Sequence, residues 1–144
     1  MIQNHNHETG SASVELVMLV PVLVLVLMLL FAAGRIATAE TVLQNAANSG
    51  AREASLARST AQAQQNALVA SNNTITQHGY TCTDLHITVN DDGITAPLGE
   101  VGKVSVTITC QLNLADLGLN VLGDTKEITA TAVSPVDPFR ERPE

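Results

Sequence analysis

The sequence predicts an α+β protein in which a long N-terminal transmembrane α-helix continues into a soluble helix packed on a small antiparallel sheet of about three strands. Three features of the chain predict these parts. Residues 16–34 form an uncharged apolar run, small residues recur every three or four positions beyond it, and strict alternation takes over after Asn73.

Residues 1–10, MIQNHNHETG, are polar and lack apolar periodicity, which reads as a leader peptide rather than structure. The transmembrane helix is assigned to 11–34. At ~1.5 Å per residue its uncharged part is roughly 28 Å long, close to the ~30 Å hydrocarbon layer of a bilayer. Pro21 lies inside this run and removes a helical hydrogen bond, so a helix kink is expected there.

An extracytoplasmic helix is assigned to 35–72. Ile36, Ala39, Leu43, Ala46, Gly50, Ala54, Ala57, Ala61 and Leu68 form a helical stripe that no proline interrupts, so one unbroken helix is expected from the membrane to about Ser71. Its Ala and Gly residues let a neighbour approach closely, either as the core-facing side of the helix or as a seam between subunits.

A small β domain is assigned to 73–134. Leu85, Ile87 and Val89, then Val104, Val106, Ile108, Cys110 and Leu112, then Ile128, Ala130 and Ala132 alternate with polar residues and mark the strands. Asn90-Asp91-Asp92-Gly93 is turn-forming, and the stretch to Gly102 makes the first connection long. Residues 113–124 form the second loop, with a helical turn expected from Ala115 to Leu117. The sheet leaves one face to be covered, and the upper half of the long helix is the large element available to cover it. The tail, 135–144, contains Pro138 and Pro143 and is expected to be extended.

Phe31, Tyr80 and Phe139 are the only aromatic residues and Trp is absent, so the core rests on Val, Ile, Leu and Ala. These bury less area per residue than rings, and a small core gains from a staple. Cys82 and Cys110 suit one disulfide in an oxidising compartment, or two free thiols in a cytosolic domain. A bridge would close a loop of about 27 residues and constrain the unfolded chain by roughly 3 to 4 kcal/mol. The net charge of −7, with seven scattered Lys and Arg, argues against nucleic acid as a partner.

The N-terminal constellation carries the most information. Gly10 stands where the polar leader meets the apolar helix, and Glu15 follows where the pattern favours Val or Leu. A carboxylate placed toward the bilayer centre costs about 2.5 to 3.5 kcal/mol and needs a partner. Cleavage after Gly10 would create one, because the new amine of Ser11 is positive near neutral pH and lies one helical turn from Glu15, or within reach of Glu15 in an adjacent subunit. The plainer alternative places Glu15 in the headgroup region, favoured by the helix dipole.

The run Gly10-Ser11-Ala12-Ser13-Val14-Glu15, followed by an apolar helix with Pro21, resembles the processing site of type IV pilin-like proteins, in which a prepilin peptidase cuts after Gly and the fifth mature residue is Glu. Residues 10–35, then Thr41-Val42-Leu43-Gln44-Asn45-Ala46-Ala47 and Gly50-Ala51-Arg52, resemble the TadE-like family. Val104 to Cys110, Leu114-Ala115-Asp116-Leu117, Ile128-Thr129-Ala130-Thr131-Ala132 and Pro135-Val136-Asp137-Pro138-Phe139-Arg140 are similar, in that order, to its actinobacterial members.

The resemblance implies a minor pilin or pseudopilin of a Tad-type pilus or related secretion machine, a structural or assembly subunit and not an enzyme. It implies a single-pass cell-membrane protein with its C-terminal domain outside, entering a surface pilus or assisting its assembly. Gly10 and Ser11 would form the processing site, Glu15 the assembly charge, and Cys82 with Cys110 the staple. Its partners would be membrane lipid, prepilin peptidase, other pilin-like subunits and the Tad assembly machinery, with no cofactor or metal. Pilin leaders usually carry Lys or Arg, whereas this one has His5, His7 and Glu8, and the mature chain would begin with Ser11 rather than a bulky residue. Arg35 read by the positive-inside rule would invert the topology, while the cysteine pair and the order of the family motifs place the C-terminal domain outside.

Other readings weigh less. Ala37-Thr38-Ala39 fits signal peptidase, whose cut would release a secreted domain, but the apolar stretch exceeds the roughly 7 to 15 residues of a signal core. A signal-anchored or secreted extracellular binding module unrelated to pili is the alternative function. His5, His7, Glu8, His78 and His86 lack metal-ligand spacing, and Asp91-Asp92-Gly93 lacks the further ligands of a calcium loop. Asn72-Asn73-Thr74 is a glycosylation triplet of a kind that arises by chance. No nucleophile with base and acid, phosphate-cradling loop or paired catalytic carboxylates point to catalysis.

Overall fold

The computed structural model describes residues 9–97, 99–115 and 125–139, with backbone alone for 9–14. Two compact units divide the chain, Met1–Arg35 and Ile36–Glu144. The elements run α1 (Thr9–Ser55), α2 (Thr60–Gln77), β1 (Cys82–Asn90), a short 3-10 helix (Asp92–Ile94), β2 (Lys103–Asn113) and β3 (Thr125–Pro135). The fold class is α+β, as the periodicities predict.

The single helix expected to reach Ser71 is two helices. Ser59 breaks it: its backbone is extended, at φ −141° and ψ 158°, and its hydroxyl accepts the N–H of Gln62 at 3.3 Å. Gln62 reaches back, its Oε1 accepting the N–H of Arg58 at 3.2 Å, so Ser59-Thr60-Ala61-Gln62 works as a capping box shifted by one residue. The break resets the phase of the buried stripe. Ala39, Leu43, Ala46, Gly50 and Ala54 of α1 are buried as expected, but Ala61 and Leu68 are exposed and α2 buries Ala63, Ala67, Ser71 and Ile75. Asn72-Asn73 does not end α2. Gly79 does, at φ 74°, its N–H bonding Thr76 O at 3.0 Å while the N–H of Tyr80 bonds Ile75 O at 3.3 Å, the paired closure of a Schellman motif.

The sheet is antiparallel in the order β1-β2-β3. Cross-strand rows such as Leu85–Cys110–Ile128 and Ile87–Ile108–Ala130 point to the helices, and the inward residues of β2 are fully buried except Leu112, at 2%. The outer face is polar: the hydroxyls of Thr107 and Thr131 lie 3.0 Å apart, and those of Thr109 and Thr129 3.3 Å. The tail begins at Pro135, the last residue of β3, and buried Val136 donates its N–H to Gly102 O at 2.9 Å. Residues 1–8 of the expected leader, the helical turn expected at 115–117 beyond Ala115, and residues 140–144 of the tail lie outside the described residues.

The small residues of the stripe have a visible purpose within the unit Ile36–Glu144. A Cβ added to Gly50 would overlap Ser71 Oγ and would lie 3.2 Å from Ala67 O and 3.4 Å from Val106 Cγ1. Thus α1, α2 and β2 meet at a point that admits no side chain. Ser71, fully buried, donates its hydroxyl to Ala46 O at 3.1 Å and so ties α2 to α1 without leaving a polar atom unpaired. The stripe over Ala39 to Ala54 is core-facing.

Candidate functional site

The N-terminal half of α1 holds four of the residues singled out by the sequence. The Gly10–Ser11 bond lies within the helical backbone of α1, at the start of its described part. Glu15 is exposed on the same helix, four positions after Ser11 and therefore one turn away. Pro21 sits inside α1, which continues through it without interruption.

Every residue from 15 to 31 is exposed, and beyond Glu15 every one is apolar. Met18 is 74% accessible and even Val24, the least accessible large side chain there, is 45%. A helix apolar on all sides finds no favourable arrangement in water, where each Å² costs about 25 cal/mol; lipid is the solvent that suits it. Among the described residues α1 is the one helix long and apolar enough to cross a membrane, judged by length and composition. Arg35 closes the run with its guanidinium 5.4 Å from the centre of the Phe31 ring, a cation–π contact.

The second predicted pair also meets. Cys82 and Cys110 form a disulfide with Cα atoms 5.4 Å apart and a sequence separation of 28, which decides between the bridge and two free thiols. The bond depends on a detail that alternation alone misses. Leu85, Ile87 and Val89 face the helices, so regular pleating would turn Thr83 inward and Cys82 outward. A bulge between Cys82 and Asp84 corrects the phase: Thr83 and Asp84 are both exposed, and Cys82 lies opposite inward-facing Leu112. The extra residue thereby brings Cys82 onto the face where Cys110 is fully buried.

An apolar helix joined to a small disulfide-tied α+β domain suggests a class of protein, membrane-anchored with an extracytoplasmic domain. Residues 10–52 match a family model described as TadE-like protein, and the chain carries a TadE-like domain over that segment. The match takes in Gly10, Ser11, Glu15, Pro21 and Gly50; α2 and the sheet lie beyond it. The TadE-like family is a pilus-assembly pseudopilin family of generally non-enzymatic structural proteins with an N-terminal hydrophobic helix, and it implies association with Tad pilus machinery. No curated protein and no solved structure matches the chain.

Proposed function

We propose that the protein is a minor pilin or pseudopilin of a Tad-type pilus or a related secretion machine, anchored in the cell membrane by the first half of α1 with the domain Ile36–Glu144 outside. The observation that carries this reading is the family match beginning at Gly10 and running through Glu15 into a helix that is apolar on every side. Prepilin peptidase cuts between Gly10 and Ser11. The exposed ammonium of Ser11 then neutralises Glu15, in the same chain or in a neighbouring pilin-like subunit, and this pairing sets the register of packed helices. Pro21 makes a kink in the span.

Mass spectrometry of the chain purified from its native membrane tests this directly. A mature N-terminus at Ser11 is expected. Retention of Met1 would leave a plain signal anchor, and a start at Glu40 would identify a secreted binding module. The structure supplies a reason to disfavour the last: Ala39 is fully buried in the core of the domain, so that cut removes a core residue. Glu15→Ala is expected to spare membrane insertion and to reduce pilus assembly or subunit recruitment at least about tenfold, as loss of about 1.4 kcal/mol would do. Normal assembly by that variant would remove the charge from the mechanism.

A further inference from the structure

The two sulfurs of the disulfide stand in different surroundings. Cys110 of β2 is fully buried, between Leu85 of β1 and Ile128 of β3 in its cross-strand row, with Ile108 and Leu112 buried on the same face. Cys82 is half-buried, opens β1 between exposed Thr81 and Thr83, and belongs to a strand with a neighbour on one side only. The bulge after Cys82 therefore joins a sulfur at the rim of the core to one inside it.

Thiol–disulfide exchange distinguishes two such sulfurs. A thiolate attacks one sulfur and expels the other as a thiolate, so the rate depends on access to the first and on how well the second carries a charge. Cys110 is closed to an external reagent while the helices and the sheet stay packed. Attack at Cys82 is open, yet it expels the Cys110 thiolate into apolar surroundings. Among the described residues no charged side chain is buried, so no buried cation is there to offset the cost of that charge.

We propose that Cys82 is the redox entry site of the domain, the sulfur at which external disulfides and thiols exchange, with Cys110 acting only from within. On closure, the Cys82 thiolate attacks the disulfide of an external oxidant, forming a mixed disulfide and releasing one thiolate of the oxidant. Cys110 then gives up its proton and attacks Cys82 Sγ, which closes the native bond and releases the oxidant's second thiolate. Two electrons pass to the oxidant, and the two protein thiols release two protons. On opening, a reductant thiolate attacks Cys82 Sγ, and Cys110 leaves and takes up a proton. Because the leaving thiolate is expelled into the core, the folded domain resists reduction even at its reachable sulfur. The exchange requires only the folded domain and stands apart from the pilus reading.

Glutathione serves as the probe. The native full chain in detergent is treated with reduced glutathione and quenched with acid, and the trapped mixed disulfide is mapped by peptide mass spectrometry. Adduct on Cys82 is expected to exceed adduct on Cys110 at least about tenfold in the folded chain and to fall toward equality in urea, where access no longer differs. Reduction should also run at least about tenfold slower in the folded chain than in urea. An adduct mainly on Cys110, an even split in the folded chain, the same preference in urea, or equal reduction rates would overturn the proposal. Single variants test the oxidising direction: with oxidised glutathione, Cys110→Ala should form its adduct at least about tenfold faster than Cys82→Ala. The reverse order would overturn it, and the mapping on the native chain, which needs no substitution, decides the matter if either variant unfolds.

Discussion

The two halves of α1 are built from different side chains, and the difference shows which solvent each half meets. Residues 16–31 are mostly Leu, Val and Met, exposed on every side. From Ala39 to Ala54 the buried positions are mostly Ala and Gly, confined to one face, with Thr41, Gln44, Arg52 and Glu53 exposed. Large apolar side chains all round the helix suit lipid, which makes no demand for close approach. A stripe of small residues suits a neighbouring backbone, where dispersion contacts form only if nothing projects between the surfaces. One continuous helix therefore changes from a solvated rod to a packed core element within a few residues of Arg35.

The largest expected effect separates the two halves cleanly. Cys82→Ala with Cys110→Ala should destabilise the domain by roughly 3 to 4 kcal/mol, since the bridge closes a long loop of the unfolded chain. Thermal melts of the full chain followed by circular dichroism should show early loss of the sheet signal while the membrane helix stays folded; simultaneous loss of both would show that the halves are coupled. Next comes a contrast between two glycines of the same helix. Gly50→Val should cost about 3 kcal/mol because its Cβ meets Ser71 Oγ and the backbone of α2. Gly34→Ala should cost nothing, since a Cβ there meets no atom within 4 Å. The cost of Gly50→Ala should shrink in a Ser71→Ala background, a coupling of about 0.5 kcal/mol or more in a double-mutant cycle. The smallest of the expected losses of stability from a single truncation is Ser59→Ala, which removes the cap of α2 and should cost about 1 kcal/mol, measured as a shift in the denaturation midpoint.

Much of this was legible in the chain because its two periodicities are unmixed. The apolar run, the stripe from Ala39 to Ala54 and the alternation of β2 each obey one rule over many residues. The helix break was missed although Ser59 and Gln62 spell a capping box, because continuous small residues on both sides kept an apparent stripe running through it. The end of α2 was set too early at Asn72-Asn73; the signal was Gly79, whose positive φ few other residues tolerate. Ser71 could not be placed by composition, since a buried serine is recognisable only when its acceptor, Ala46 O, arrives from another helix. For the candidate site, Gly10, Ser11 and Glu15 stand out in the chain at the contrast between a polar N-terminal stretch and an apolar helix, and the family match spans all three. The disulfide partners were legible too, but not the bulge that lets them meet. Cys82 is out of phase with Leu85, Ile87 and Val89, and that mismatch was itself the clue.

That bulge also sets how much change in length the start of β1 can absorb. Removing Thr83 would restore ordinary pleating while leaving Cys82 opposite Leu112, with the covalent tie to Cys110 still within reach. The connection between α2 and the sheet can thus lose one residue at this point without any strand sliding against its neighbour, whereas a one-residue loss between Leu85 and Val89 would turn half of the strand inside out.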